Sequence, residues 1–162
     1  MLHDLGQLLF LRGQTNDALA VFARAARANP TDARNLSGLG LGLLNAGRYE
    51  EALAAMSQAA KLDPKSSGNQ ANLGAILLIM SRFEDAATAY REAIRLDPKL
   101  VVALVNLGIV LEALEKTDEA VSVLKKAIEA EPSAPLPHKI LGEVLSHEGK
   151  YDEARSPSST RP

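Results

Sequence analysis

Three histidines, His3, His138 and His147, and a recurring set of adjacent carboxylates, Glu50-Glu51, Glu84-Asp85, Asp118-Glu119 and Asp152-Glu153, are the residues best suited to chemistry in this chain. Imidazoles could ligate a metal, and paired carboxylates could serve as acid and base. The spacing serves neither role. His138 and His147 stand half a turn out of line on a straight helix, and no His-Glu-x-x-His pattern or equivalent occurs. Adjacent carboxylates point to different sides of a helix. Each pair also falls at a helix start, where the helix dipole favours negative charge. Cysteine is absent, which removes disulfides, thiolate-bound zinc and thiol nucleophiles. The glycines recur singly inside apolar segments and never form a phosphate-binding loop after a strand. The reading is of a chain that is not an enzyme, with no cofactor and no metal site.

The segments that carry these residues repeat. Asn29-Pro30, Asp63-Pro64, Asp97-Pro98 and Glu131-Pro132 follow one another at steps of 34 residues. The same step links Gly6, Gly40, Gly74, Gly108 and Gly142, and also Ala18, Ala52, Ala86, Ala120 and Ala154. Leu5, Leu39, Leu73, Leu107 and Leu141 form a further series, as do Leu9, Leu43, Leu77, Leu111 and Leu145. At the usual frequency of glycine, the glycine series alone has a chance on the order of 10⁻⁵. In one unit, Leu36, Leu39, Leu43 and Leu44 have helical spacing over Ala33 to Ala46, and Gly47 stops that helix. A second helix spans Tyr49 to Leu62, after which Pro64 bars continuation. Glycine inside a helix costs about 1 kcal/mol relative to alanine, so its recurrence predicts close helix approach. Phe22, Met56, Tyr90 and Leu124 then fill the space between hairpins.

Composition agrees. The chain has 162 residues, an apolar fraction of 46%, ordinary for a folded protein, and only 4% aromatics. A net charge of −2 argues against nucleic-acid binding. The N-terminus lacks a basic segment followed by an apolar stretch and a cleavage site. The densest apolar run, Ala75 to Met80, is too short to cross a bilayer. The expected location is cytoplasmic, with no membrane partner.

The pattern Leu36, Leu39-Gly40, Leu43, Ala52, Met56, Pro64 resembles the tetratricopeptide repeat, W-x₂-L-G-x₂-Y, A-x₃-F, P over 34 residues. The next unit reads Gln70, Leu73-Gly74, Leu77, Ala86, Tyr90, Pro98, and the following one Leu104, Leu107-Gly108, Leu111, Ala120, Leu124, Pro132. The resemblance implies an all-α, right-handed superhelical α-solenoid of antiparallel helical hairpins. Repeat units fall at about 1–32, 33–66, 67–100 and 101–134, with a partial unit at 135–154 and a flexible tail at 155–162. The helix near 136–148 reads as a terminal cap that exposes Lys139, Glu143 and Ser146.

Such arrays receive an extended peptide or a helix on a concave groove lined by the first helix of each hairpin. Carried over by position, that face is Arg34, Ser37, Leu41, Asn45, Asn72, Ala75, Ile79, Val105, Asn106, Ile109 and Glu112, preceded by His3, Asp4 and Gln7. Asn72 and Asn106 share one repeat position, and stacked carboxamides can pair with a peptide backbone. Leu41, Ala75, Leu78, Ile79, Val105 and Ile109 suit an apolar anchor. The basic clamp that some relatives use to hold a terminal carboxylate is missing, since Ser37, Ala71 and Val105 stand in its place. The expected function is a non-catalytic scaffold for a protein or peptide partner. Two alternatives are the targeting region of a larger enzyme such as a glycosyltransferase, and a homo-oligomer assembled through the C-terminal end.

Overall fold

The computed structural model describes residues 2–147, and every regular element among them is a helix. In order these are α1 (Leu2–Leu11), α2 (Thr15–Ala28), α3 (Ala33–Asn45), α4 (Tyr49–Leu62), α5 (Ser67–Ile79), α6 (Phe83–Leu96), α7 (Val101–Ala113), α8 (Thr117–Ala130) and α9 (Pro135–His147). The helix expected over Ala33 to Ala46 ends one residue earlier, with Ala46 as its cap, and α4 has the expected bounds. The cap helix expected near 136–148 is α9. The remainder of the partial unit and the tail at 155–162 lie outside the described residues, as does the end through which assembly was expected.

Two kinds of turn set the period. After α3, the Gly47 amide donates to the Leu44 carbonyl and the Arg48 amide to the Leu43 carbonyl, a pattern that needs left-handed backbone at Gly47 (φ 72°). The matching residues Gly13, Ser81 and Glu115 also have positive φ, although serine and glutamate carry a Cβ that this region disfavours. After α4, the Asp63 amide caps the Ala59 carbonyl, and the Ser66 amide closes a turn on the Asp63 carbonyl. The Asp63 carboxylate accepts from the Lys65 amide at 3.3 Å, and the same arrangement recurs at Asp97 and Lys99. Helix starts are then capped by Asp32, which accepts from the Arg34 amide, and by Ser66, which accepts from the Asn69 amide.

Small residues let the helices nest. Ala18, Ala52, Ala86 and Ala120 are completely buried, and so are Ala59, Ala93 and Ala127. Gly6, Gly40 and Gly108 face large side chains of their own hairpins. A methyl group added at Gly108 would stand 2.7 Å from Leu124 Cγ, and one at Gly40 would stand 3.1 Å from Met56 Cε. Close approach therefore explains the glycine at positions 6, 40 and 108, whereas a methyl group at Gly142 would meet nothing within 4 Å. Phe22 is wedged from two sides, because a methyl group at Gly6 on α1 or at Gly38 on α3 would strike its ring.

The chain divides into two compact units, Met1–Arg82 and Phe83–Pro162. In the first, α1 and α2 form one hairpin and α3 and α4 another, and the core gathers Leu36, Leu43, Met56, Ala59 and Ile76. Here α1 touches α3 and α3 touches α5, whereas α2 and α4 do not meet. A cleft of about 800 Å³ opens between α2 and α4, with Leu39 and Leu43 in its floor. Within this unit the stack therefore bends, closing on the side of α1, α3 and α5 and opening on the side of α2 and α4. In the second unit α7 and α8 form a hairpin, and α7 touches α9 while α6 and α8 do not meet. Leu5, one of the periodic leucines, is exposed instead of buried. Among the described residues α1 packs only on α2 and α3, so nothing covers the side on which α3 meets α2.

Candidate functional site

The inside of the bend is the surface on which a chain could lie, and its residues differ in how free they are. In the first unit, Ser37 and Leu41 on α3 and Asn72 and Ala75 on α5 are half-buried, and Ile79 is 51% exposed. Arg34 is exposed, but its guanidinium is tied to the Asp32 cap through Nε at 3.2 Å and Nη2 at 2.9 Å. That contact holds the Asp32 carboxyl below its usual range. The Asn45 carboxamide donates back to the Leu41 carbonyl of its own helix at 2.9 Å, so neither Arg34 nor Asn45 stands ready for a partner without first giving up a bond.

In the second unit the same face is more occupied. Val105, expected as part of the groove, is only 2% exposed and packs with Leu104, Ala127 and Ile140. It offers a partner no surface, because α9 and α8 close over it within the same cluster. Ile109 packs partly against that cluster. Glu112 accepts from the Thr117 hydroxyl at 3.2 Å and lies 3.4 Å from His147 Nδ1. Asn106 stands beside Tyr90, whose phenol is completely buried. Burial pushes that phenol up to about 12, and the Asn106 side chain offsets part of the rise. The hydroxyl nevertheless makes no well-formed hydrogen bond, so Asn106 acts as a nearby dipole without the alignment of a true partner.

The two positions behind the expected carboxamide row are thus unequal, and the row is broken at its start. Gly38 occupies on α3 the repeat position held by Asn72 on α5 and Asn106 on α7. Around it a cavity of about 320 Å³ opens between α1 and α3, lined by His3, Gln7, Phe10, Phe22, Ser37 and Leu41 among others.

A family model described as the Cilia and flagella-associated protein 70 C-terminal domain, a tetratricopeptide-repeat model, matches residues 1–159. The chain belongs to this tetratricopeptide-repeat family. No curated protein sequence matches it. Solved structures share its fold. MamA from Desulfovibrio magneticus RS-1 superposes with a TM-score of 0.85 at 23% identity, over 95% of this chain and 87% of that one. Pseudomonas aeruginosa pilF gives 0.86 at 23% identity, over 95% and 70%. YrrB, described as a tetratricopeptide-repeat protein with an unusual peptide-binding site, gives 0.77 at 20% identity, over 94% and 79%. The all-α solenoid fold is therefore shown.

In this tetratricopeptide-repeat array, the histidines build no common centre. His138 Nε2 lies 3.0 Å from the Pro132 carbonyl at a helix start, and His147 ends α9. Among the described residues no group of His, Asp and Glu side chains could hold a metal ion, and no helix is long and apolar enough to cross a membrane. Two features were not singled out from the sequence. Asn35 is buried and its carboxamide donates to the Ala25 carbonyl at 3.2 Å, fastening α3 to the end of α2. Its recurrence as Asn69 was the available signal. The cavity beside Gly38 was signalled only by a glycine interrupting the Asn72 and Asn106 series.

Proposed function

We propose that the array is a non-catalytic protein-interaction scaffold that presents the inner faces of its odd-numbered helices to a peptide or helical segment of a partner. The units run over about 1–32, 33–66, 67–100 and 101–134, with a partial one over 135–154, and the location is cytoplasmic. One observation carries the reading. In the first unit the inner face joins polar Ser37 and Asn72 to apolar Leu41, Ala75 and exposed Ile79, a mixture that can bond a backbone and bury an apolar side chain together. The peptide-binding site named for YrrB, a protein of the same fold, supports it.

The cleaner test uses Asn72, because Asn106 also faces Tyr90. Peptides are selected on the full chain from a random displayed library, and the affinity of the tightest is measured on the parent and on Asn72→Ala. The expected loss is roughly fivefold to tenfold, the worth of about one hydrogen bond, with thermal stability little changed. Equal affinity for both proteins removes the carboxamide from the site.

A further inference from the structure

The outer cleft between α2 and α4 joins an apolar floor to cations that the array itself leaves unused. Leu39 and Leu43 lie in the floor, and Leu19, Ala20 and Ala23 line the α2 side. The lining residues of α2 run from Asn16 to Arg27, a length of about 17 Å at the rise of an α-helix. Alanine on that wall leaves room for a further helix to lie close. Arg48 donates to Glu51 at 2.7 and 2.6 Å, so those two lining charges cancel. Arg24 and Arg27 also line the cleft and are exposed. Among the described residues neither meets a carboxylate. They stand three residues apart on one helix, a spacing at which like charges repel. The same two repeat positions hold Gln58 and Lys61 on α4, Glu92 and Arg95 on α6, and Lys126 and Glu129 on α8. On α6 the pair neutralises itself, with both guanidinium contacts at 2.7 Å. Only α2, among these second helices, sets two cations there.

We propose that this cleft receives an acidic amphipathic helix of a protein partner, with leucines on the floor and carboxylates on Arg24 and Arg27. The surface is separate from the inner face and adds a second, weaker contact to it. Arginine holds a carboxylate through two parallel hydrogen bonds, so the free guanidinium groups select the charge. The floor selects a segment that also brings apolar side chains, in the manner of a helix laid in a groove. A bare anion would leave the leucines in water.

The probe is a labelled, end-capped helical peptide of about four turns, with leucine and alanine on one face and glutamate beside them. Its twin carries glutamine in place of every glutamate. Fluorescence anisotropy with the full chain is expected to give a Kd of roughly 100 µM for the glutamate peptide and about tenfold weaker binding for the twin. Arg24→Gln with Arg27→Gln is expected to bring the glutamate peptide to the level of its twin and to leave the twin unchanged. Ala20→Phe fills the cleft and weakens both peptides. Amide signals of Ala20, Ala23, Arg24 and Arg27 should move while those of Ser37 and Asn72 stay still. Equal affinity for the two peptides overturns the proposal, as does an unaltered glutamate titration in the double arginine variant. Displacement of the peptide by millimolar inorganic phosphate would make this a bare anion site, and displacement by self-association of the chain would give the cleft to a second copy; either result overturns the proposal. Asn72→Ala should leave this titration unchanged, and the arginine variant should leave the library-selected inner-face peptide unchanged. Failure of one site is thereby read apart from failure of the other.

Discussion

In the unit Met1–Arg82, Gly38 on α3 meets the edge of the Phe22 ring and a cavity opens beside it. In the unit Phe83–Pro162, the same repeat position on α7 is Asn106, beside the buried Tyr90 hydroxyl, and the preceding Val105 is sealed in the core. The two faces share one framework of leucine, glycine and alanine but have spent their inner residues differently. In the second unit they stabilise the array itself. In the first they leave space. A position in a repeat therefore predicts where a side chain stands more securely than what it is free to do.

The comparison can be broken first at Tyr90. Its phenol is raised from the ordinary 10.0 to about 12 mainly by burial, so the folded state favours the neutral form. That stability is fully present below about pH 10 and is lost as the pH rises through about 12, a loss of roughly 2–3 kcal/mol. Tyr90→Phe is expected to flatten alkaline unfolding followed by circular dichroism. At neutral pH it should be neutral or stabilising by about 1 kcal/mol, since it removes an unpaired buried hydroxyl. An undiminished alkaline transition in Tyr90→Phe would place the titrating group elsewhere.

The glycines sharpen the shared framework. Gly108→Ala sets a methyl group 2.7 Å from Leu124 Cγ, and urea unfolding is expected to show a net loss of about 2 kcal/mol despite the better helix propensity of alanine. Gly68→Ala meets nothing closer than Ser66 Oγ at 3.8 Å and is expected to gain about 0.5–1 kcal/mol. Equal effects at both positions would mean that close packing is not what keeps glycine at the inner position. The smallest change is expected in the turns. Ser81→Gly and Glu115→Gly relieve φ values of 57° and 58°, and each should raise stability by about 1 kcal/mol or less.

Helices, turns and buried alanines were legible because each rests on local chemistry repeated at one step. Gly47 must reverse the backbone, Pro64 must end a helix, and Ala52 must be small. Leu5 shows the limit of that reasoning, since its burial depends on a neighbouring helix and not on its own segment. The candidate face was legible as a set of positions through the family pattern. Its present state was not, because the bonds that occupy Arg34, Asn45 and Glu112 depend on which way each side chain turns toward near neighbours in the sequence, which a repeat position does not specify. Val105 was placed on the groove by its family position alone, which does not specify burial, and the packing of Ile140 and Ala127 decides it.

The account stands or falls on which side of the bend receives its tightest partner. Amide chemical-shift mapping of a library-selected peptide on the full chain tests this directly. The predicted result is perturbation centred on Ser37, Leu41, Asn72, Ala75 and Ile79. Perturbation confined to the outer cleft between α2 and α4, at Ala20, Arg24 and Arg27, would contradict it.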